Sequence, residues 1–585
     1  MLPIFICRGS ARPQAPSISL SPRDERWNDF SRNYHVDINI HLSDESQPMT
    51  CRALIMPIDW NNLESEKRFD SWALQQIPPG KSYVELVETL TSDGKPRFVT
   101  LLDGESSYRK LALKIDQQQR VELLSKINDL ILISEEKKLA VKDRRAILET
   151  ENFRLGFMRR GSAYQALHRG HRHIWGAGKE LLKDARAPFN FECMLRGFTS
   201  SSHTLTVDYI DTILLEDRVH CLVGKNGCGK TRLLREIVLM FANKAESGVP
   251  CLINNFESTA EKPPEYLGPD FRRVLCFAFD SQANFPTGTR SDARFEYIYT
   301  NLTDRDDLSA YESSTSNKNL TRLLVDILRN DDFLGEGVGA QQRYTVLKKA
   351  LRPYVNFSTI LIPLLDEAAV PFSSKDHSGK KWISVSDLWG LNEKTALIAF
   401  SYIDLDRDIE FSRGNHERHE LSSGHRVFFK FAVSFLSYID LGTLVILDEP
   451  ETHLHPNLVC DFMNLVYEVL TATKSIAVVA THSAYVVREV PTHCAHVYLV
   501  DDEGRATENQ VYLRTLGANI ENISQAVFGD SNATKFHQKI ADEMVKKNRD
   551  FDSIVENFSA LMSPDLLSQV SRLIENKNKQ NNEDS

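Results

Sequence analysis

Fully apolar runs and amphipathic stretches alternate along the chain from residue 221 onward. The runs at 221–223, 444–447 and 476–480 contain only apolar residues, which is typical of strands that a parallel sheet buries on both faces. The stretches that follow residues 230 and 422 carry apolar side chains at helical spacing. We therefore predict an α/β domain over residues 186–530, with a helical or irregular insertion at about 290–395.

The pattern is different at the two ends of the chain. Residues 34–43 and 51–60 alternate between polar and apolar and predict strands, whereas residues 119–134 have a helical period. We therefore predict an α+β domain over residues 1–185, whose role the pattern does not indicate. Residues 531–575 are predicted to be helical, and residues 576–585 form a polar tail that we expect to be disordered.

Composition is typical of a soluble globular protein. The 585 residues predict two to four domains, and a hydrophobic fraction of 42% is ordinary for folded proteins. Nine cysteines, an odd number without a CxxC pair, argue against a disulfide framework and against a zinc ribbon. No run of about 18 apolar residues and no convincing signal peptide is present. We expect a cytoplasmic protein with no membrane association.

A net charge of -10 gives no general attraction to nucleic acid, so such binding would need a local basic patch. Residues 137–173 contain ten Lys or Arg against three acids, with Phe153, Phe157 and Tyr164 between them. One interpretation is that the basic side chains follow a phosphate backbone while the aromatic rings stack on bases. The other is a solvated helix face with partner contacts.

Residues 224–231, GKNGCGKT, fit the phosphate-binding pattern G-x-x-x-x-G-K-[ST] between a predicted strand and a predicted helix. Glycines let backbone N–H groups converge on phosphate oxygens, and the helix N-terminus adds its positive dipole end. Lys230 would reach the β- and γ-phosphates, and Thr231 would offer a hydroxyl to Mg²⁺. The residues expected to bind nucleotide here are Gly224, Asn226, Gly227, Cys228, Gly229, Lys230, Thr231 and Arg232.

Two acidic residues end the predicted strand at 444–447. The carboxyl ends of strands in open α/β sheets are where ligands bind. Asp448 is predicted to hold Mg²⁺, and Glu449 is predicted to polarise the attacking water.

Two further groups follow the same logic. Ser422 and Gly424 begin an amphipathic helix, where they are either an ordinary N-cap or a second anion site. His482 follows the strand predicted at 476–480 and is predicted to be catalytic rather than structural. The histidine groups at 168–173 and 453–455 lack the cysteines that a zinc site would add, so we predict no metal at either.

Taken in order, GKNGCGKT, LSSGHR, LVILDEP and ATHS resemble the Walker A, signature, Walker B and switch-histidine motifs of the ABC-class ATPases. The resemblance covers residues 188–256, 270–285 and 395–530. It implies ATP hydrolysis with ATP and Mg²⁺ as cofactors. It also implies a Q-loop glutamine that contacts nucleotide and metal, and Gln282 lies at the matching position.

In ABC ATPases the signature motif of one copy closes over the phosphate held by the Walker A loop of another. The resemblance therefore implies a homodimer or higher homo-oligomer, in which Ser422 and Gly424 act in trans on ATP bound at Lys230. His425 departs from the Gln or Glu that is usual in the signature motif.

Within that class the chain resembles the OLD-like, AAA_21-type branch, because ETHLHP follows the Walker B motif. Only about a hundred residues follow His482, so we expect no TOPRIM nuclease domain of the kind found in the OLD nucleases, and residues 245–420 show no heptad repeat. This resembles the ATPase subunits of bacterial anti-phage systems such as Septu, some retrons and PARIS. It implies antiviral defence through a partner effector such as a nuclease, with residues 531–575 as the docking segment.

Two other functions remain open. The first is an ATP-dependent nucleic-acid-binding switch of the DNA-repair type. The second is a self-contained nuclease that uses Asp501, Asp502 and Glu503, which otherwise predict a hairpin turn.

Overall fold

The computed structural model describes 26 separate stretches of the chain, and the account below is confined to them. They are residues 3–9, 11–23, 34–41, 48–64, 69–175, 185–186, 188–195, 197–198, 203–210, 216–241, 251–253, 256–257, 271, 273–280, 285–286, 289–291, 296–303, 319–330, 333–334, 341–412, 419–501, 503–509, 512–528, 535–547, 551–559 and 561–583. Within these stretches, no helix has the length and apolar character needed to cross a membrane.

The N-terminal region combines one sheet with eight helices among its described residues. The strands are β1 (Ile4–Cys7), β2 (Ser17–Pro22), β3 (His35–His41), β4 (Met49–Pro57), β5 (Tyr83–Glu85) and β6 (Phe98–Leu102). The helices are α1 (Phe69–Gln76), α2 (Glu105–Lys114), α3 (Gln117–Lys126), α4 (Leu130–Glu135), α5 (Val141–Glu149), α6 (Glu151–Leu155), α7 (Gly161–Arg169) and α8 (His171–Trp175). The strands and helices predicted at 34–43, 51–60 and 119–134 are confirmed.

The N-terminal sheet has the order β5-β1-β2-β3-β4-β6, and only β1 and β2 pair in parallel. Alternate residues of β3 are buried, as the period of two predicts. Asp116 and Asp129 cap α3 and α4 by accepting backbone N–H bonds at the helix starts.

The second region begins with β7 (Phe189–Cys193) and β8 (His203–Val207), which form a four-stranded antiparallel sheet with β10 and β11. The further elements are β9 (Val219–Val223), α9 (Lys230–Phe241), β10 (Cys251–Ile253), β11 (Phe256–Glu257), β12 (Arg273–Ala278), β13 (Thr289–Ser291), β14 (Glu296–Asn301), α10 (Leu320–Leu328), β15 (Phe333–Leu334), β16 (Gln341–Gln342), α11 (Arg343–Leu351), β17 (Ile360–Leu364), β18 (Ser374–Lys375), β19 (Lys381–Ser384), α12 (Val385–Gly390), α13 (Glu393–Ser401) and β20 (Glu410–Phe411).

The chain continues with α14 (Ser423–Tyr438), β21 (Leu444–Asp448), α15 (Pro456–Ala472), β22 (Ile476–Thr481), α16 (Ala484–Val487), β23 (Ala495–Val500), β24 (Ala506–Asn509) and α17 (Ile520–Ile523). Single 3₁₀ turns lie at Phe157–Arg159, Phe357–Thr359, Pro450–His453 and Thr492–Cys494, and a π-helical turn lies at Ser524–Phe528.

An eight-stranded sheet in the order β13-β14-β12-β21-β22-β9-β23-β24 organises this second region. The six inner strands run parallel, and β13 and β24 are antiparallel edge strands. Strands β9, β21 and β22 are neighbours, so the loops that follow them meet at one edge of the sheet. The α/β fold predicted for this region is confirmed, and the apolar runs 444–447 and 476–480 are strands as expected.

The insertion between β14 and α14 differs from the prediction. Helices α10 and α11 are present where the sequence predicts them, but β17, β18, β19 and β20 add a four-stranded antiparallel sheet. The description of residues 290–395 as helical or irregular is therefore incomplete. Two of these strands, β18 and β20, contain only two residues each and are too short to show a strand period, whereas β17 is a buried apolar run whose periodicity does not distinguish a strand from a buried helix.

Three buried arginines from separate segments hold the C-terminal end of α14. Arg169 of α7, Arg273 of β12 and Arg343 of α11 each donate to a backbone carbonyl of residues 437–439, at distances of 2.9–3.0 Å. Cations are favourable at this end of a helix, where the last carbonyl groups lack intrahelical partners. Asp440 lies 3.0 Å from Arg109 and 3.3 Å from Arg273. The N-terminal region and the insertion are thus attached to the same helix end.

The C-terminal helices are α18 (Lys535–Lys546), α19 (Phe551–Phe558) and α20 (Pro564–Glu583). They pack around buried Ile554 and Val570 in a small apolar cluster of their own. The helical prediction for residues 531–575 agrees with these elements. The tail at 576–585 was expected to be disordered, but α20 extends to Glu583.

Candidate nucleotide-binding site

The loop between β9 and α9 needs glycine at its turns. Gly227 and Gly229 have φ angles of +88° and +95°, which L side chains rarely adopt. A Cβ atom on Gly229 would lie 2.9 Å from Nε2 of His203, and one on Gly224 would lie 2.6 Å from the carbonyl oxygen of Tyr498. The loop is therefore a tight backbone cradle at the N-terminus of α9, which is the geometry that binds phosphate.

Lys230 lies folded into this cradle. Its Nζ donates to the carbonyl oxygens of Gly224 at 2.8 Å and Lys225 at 3.2 Å, and the residue is only 5% exposed. These carbonyls hold the ammonium group beside the backbone N–H groups of the loop. Phosphate oxygens can replace them as acceptors without a change in the position of the helix.

Thr231 and Asp448 connect the loop to the end of β21. The Thr231 hydroxyl donates to Oδ1 of Asp448 at 2.8 Å, although the two residues are 217 positions apart. Burial raises the pKa of Asp448 to about 7, and the negative charges of Glu449 and Glu451 add to the effect. A hydroxyl and a buried carboxylate with excess negative charge around it form a donor set of hard oxygens, which fits Mg²⁺.

Glu449 follows Asp448 in a left-handed backbone conformation with φ of +51°. Its N–H donates to the carbonyl oxygen of Ala480 at 2.9 Å, which fixes the turn against β22. Nδ1 of His482 lies 3.6 Å from Oε1 of Glu449, an ion pair rather than a close hydrogen bond. This contact lowers the pKa of Glu449 and raises the pKa of His482.

Glu451 belongs to the site although the sequence interpretation omitted it. Its Oε1 accepts from the Thr481 hydroxyl and from the His482 N–H, both at 2.7 Å, and lies 3.3 Å from Nδ1 of His482. Its side chain is only 7% exposed. Glu451 therefore positions the loop that carries His482. The sequence could have indicated this residue, because Glu451 is a third acid two positions after Glu449. It was missed because the motif considered ends at Asp448-Glu449.

Ser422 and Gly424 lie at the start of α14. Ser422 is the N-cap of the helix, and its Oγ accepts from the N–H of His425 at 3.4 Å. A Cβ on Gly424 would lie 2.8 Å from the carbonyl oxygen of His453 in the turn after β21. The N-cap interpretation of Ser422 is confirmed, and these contacts connect the motif to the 450–453 turn rather than to the loop at 224–231.

The remaining predicted nucleotide contacts have different environments. Asn226 and Arg232 are exposed beside the loop. Cys228 is buried, and burial raises the pKa of its thiol, which is unlike a redox-active cysteine. Nε2 of His203, which the sequence interpretation also omitted, contacts the Cys228 carbonyl oxygen at 2.8 Å and supports the loop from β8. Gln282 lies outside the described residues.

The basic stretch at 137–173 does not present its aromatic rings to solvent. The exposed fractions are 2% for Phe153, 0% for Phe157 and 8% for Tyr164. Bases cannot stack on rings that are buried in this way. Arg169 is also buried, and it lies 3.5 Å from Asp326. Of the two interpretations of this stretch, base stacking is therefore not supported, because a basic and aromatic composition does not show which side chains face solvent.

Asp501 has a structural role in the turn between β23 and β24. Its Oδ1 accepts from the N–H groups of Glu503 and Arg505, and its Oδ2 accepts from Nε of Arg505 at 2.8 Å. The hairpin prediction is confirmed. Asp502 lies outside the described residues.

The described fold and site combine a mainly parallel α/β sheet with a glycine-rich loop, a buried acid and a second carboxylate at one edge of that sheet. Residues 277–488 match the family model described as "AAA domain, putative AbiEii toxin, Type IV TA system". This segment contains the residues at 422–424, 448–449 and 482, whereas the loop at 224–231 precedes it.

The chain is similar to a curated phage protein and to solved ATPase heads. It is 23% identical over 490 residues to "Protein ea59" of Escherichia phage lambda, which covers 82% of this chain and 83% of that protein. An SMC head bound to the C-winged helix domain of ScpA matches with a TM-score of 0.30 and 12% identity, covering 55% of this chain and 97% of that chain. A nucleotide-free ATP-binding cassette from an ABC transporter matches with a TM-score of 0.25 and 15% identity, covering 55% of this chain and 91% of that chain.

Proposed function

We propose that this chain binds and hydrolyses ATP at the loop 224–231 and that ATP closes two copies around shared sites. The observation that carries the proposal is the 2.8 Å contact between Thr231 and Asp448, with Glu449 next in sequence. It brings the hydroxyl, the buried acid and the second carboxylate of the two motifs to one edge of the sheet, as ATP hydrolysis requires.

Binding begins with the cradle and Lys230. The ammonium group exchanges its hydrogen bonds with the carbonyls of Gly224 and Lys225 for bonds to phosphate, while the loop N–H groups and the α9 N-terminus bind the same oxygens. Mg²⁺, held by Thr231 and Asp448, would neutralise charge on the β- and γ-phosphates. Burial raises the pKa of Asp448, so a cation beside this acid would stabilise its ionised form.

Glu449 is the residue placed to polarise the attacking water. His482 holds the pKa of Glu449 below its ordinary value, so the carboxylate stays ionised at neutral pH. Glu449 has a left-handed backbone conformation, and its N–H is bonded to the carbonyl oxygen of Ala480. His482, whose backbone N–H donates to Glu451, lies 3.6 Å from the Glu449 carboxylate and is proposed to sense the γ-phosphate.

A second copy would complete the site. The N-terminus of α14 can offer the Ser422 hydroxyl and backbone N–H groups to an anion. Within one chain, the contacts of this motif are with the 450–453 turn and not with the phosphate-binding loop at 224–231. We assign these groups to the γ-phosphate bound by a partner copy. The carbonyl oxygen of His453 packs closely against Gly424, so the signature motif contacts the turn that begins at Glu449.

We further propose that the ATP-dependent dimer regulates a partner effector, a nuclease, in anti-phage defence. The family description names a toxin and a TA system, and the curated relative is a phage protein. Both support action during phage infection. The exposed faces of α18, α19 and α20 are the proposed effector dock.

Replacement of Glu449 with Gln tests the enzymatic part. Because Gln cannot polarise water but keeps the shape of Glu, hydrolysis should fall at least about 100-fold while ATP binding persists and the dimer accumulates. Phosphate release and size-exclusion chromatography with light scattering measure the two effects. Glu556→Gln, an exposed acid on α19, is the matched control. Unchanged hydrolysis in Glu449→Gln would overturn the assignment.

The defence role needs a separate experiment. Cells that express the chain with its neighbouring genes should reduce the plating efficiency of at least some phages, and Glu449→Gln should change that protection. Equal protection by the wild type and by Glu449→Gln would show that defence does not depend on ATP hydrolysis by this chain.

A further inference from the structure

Asp217, His493 and Cys494 form a cluster at the end of the main sheet opposite the phosphate-binding loop. Asp217 lies two residues before β9, and His493 and Cys494 end the 3₁₀ turn that leads into β23. Because β9 and β23 pair in parallel, their amino ends meet. The ligand atoms of the three residues all lie within 4.8 Å of one another.

The carboxylate of Asp217 is the reason to look further at this cluster. Asp217 is only 2% exposed. Its Oδ2 accepts from the N–H of Ile210 at 2.7 Å and lies 2.7 Å from Nε2 of His493. Its Oδ1 is buried and makes no hydrogen bond with any described residue. Burial of a carboxylate costs free energy, and a cation bound between Asp217 and the neighbouring Cys494 sulfur would offset that cost.

The other two residues supply the ligand types that zinc prefers. Cys494 is 0% exposed and offers sulfur, and His493 offers an imidazole nitrogen. The His493 side chain is 34% exposed, so a water molecule can reach the fourth position. Ligands of one tetrahedral zinc ion lie about 3.2–3.8 Å apart. The ligand atoms of this cluster lie within 4.8 Å of one another, and His493 and Asp217, now 2.7 Å apart, would separate to admit the ion between them.

We propose that Asp217, His493 and Cys494 bind one zinc ion, with water as the fourth ligand. The ion would join the segment before β9 to the turn before β23 and so fasten the amino ends of two neighbouring strands. The role is structural, because the phosphate-binding loop lies at the other end of β9. His493 and Asp217 are 276 positions apart, which is why local spacing of cysteines and histidines in the sequence does not reveal the cluster.

Metal binding by the purified full-length chain tests the proposal. The protein is stripped with a chelator, returned to buffer with excess Mg²⁺ to occupy the nucleotide site, and titrated with Zn²⁺ against a chromophoric chelator. We expect one tightly bound equivalent. With Co²⁺ as the probe, we expect the visible bands of a tetrahedral site and a thiolate-to-cobalt charge-transfer band.

Cys494→Ser should remove the charge-transfer band and weaken Zn²⁺ binding at least about 100-fold. Cys460→Ser is the matched control, because Cys460 is half-buried on α15 and contacts Glu489 instead; it should bind like the wild type. His493→Gln is a second variant at a partly exposed position, and it should also lose the site while keeping the circular dichroism spectrum of the wild type. Zn²⁺ should raise the Tm of the wild type but not of His493→Gln.

Two outcomes would overturn the proposal. One is a wild-type protein that binds no Zn²⁺ under these conditions, which would mean that Asp217 and His493 are a hydrogen-bonded pair beside a buried thiol. The other is a bound equivalent that survives both Cys494→Ser and His493→Gln, which would place the metal elsewhere.

Discussion

The phosphate-binding loop and the basic stretch at 137–173 both carry cations; the loop was predicted to contact phosphate, and phosphate contact was one of two interpretations of the stretch. In the loop, Lys230 lies in a cradle of backbone groups and next to the carboxylate pair that ends β21. In the stretch, Arg169 is buried against Asp326 and a carbonyl of α14, while Phe153 and Phe157 belong to the core. Lys230 lies in the loop that we propose binds phosphate, whereas Arg169 connects two regions of the protein.

The difference shows which kind of sequence pattern correctly predicts the position of a side chain. The loop is defined by residue types at fixed spacing between a strand and a helix, and each position has its own steric reason. The stretch is defined only by composition, which does not say which side chains face solvent. Four predictions test this contrast, from the largest expected effect to the smallest.

Lys230→Ala should weaken ATP binding at least about 100-fold, because the ammonium group is the only cationic side chain that the described loop folds into its cradle. Titration with a fluorescent ATP analogue measures the affinity. Lys225→Ala is the matched control within the same loop, since its side chain is exposed and only its carbonyl contacts Lys230. Equal losses in the two variants would mean that net charge, not the cradle, binds the nucleotide.

Arg169→Met should lower the free energy of unfolding by about 3–5 kcal/mol, because it removes a buried guanidinium that contacts Asp326 and the carbonyl oxygen of Ser437. The urea midpoint measures this loss. Arg145→Met, from the same basic stretch but 80% exposed, should leave the midpoint unchanged. A stable Arg169→Met protein would show that the contacts of Arg169 with α10 and α14 do not hold the N-terminal region in place.

Asp448 should make the nucleotide-free protein less stable as pH rises. The folded protein keeps a proton on this acid up to about pH 7, whereas the unfolded chain releases it near 3.8, so stability is lost between these values. Asp448→Asn should remove this slope and should be more stable than the wild type at pH 8 by on the order of a few kcal/mol. Thermal unfolding at pH 5 and pH 8 gives the comparison, and identical pH dependence of the two proteins would refute it.

Lys142→Ala combined with Arg145→Ala should leave duplex-DNA affinity within about twofold of the wild type, because exposed charges on one helix do not form a binding groove without the aromatic partners. Fluorescence polarisation at low and moderate salt measures the affinity. A clear fall, with a shallower dependence on salt, would restore nucleic acid as a ligand of this stretch.

Local signals predicted the parts of the fold and site that depend on short segments. The strand that ends at Asp448, the N-cap at Ser422 and the turn at Asp501 follow from patterns of fewer than ten residues. The contact of Glu451 with the loop of His482 does not, because it joins residues that follow two strands, β21 and β22, and these strands become neighbours only in the sheet. The same holds for Asp217 with His493 and for the arginines at the end of α14.

The central claim is that each ATP is bound by the loop of one copy and by the signature motif of another. Co-expression of Lys230→Ala with Ser422→Arg tests it directly, because each variant alone lacks one half of every site. A mixed dimer regains one intact site, so random pairing should restore about a quarter of wild-type ATP hydrolysis. Hydrolysis no greater than that of the two variants alone would contradict a shared site.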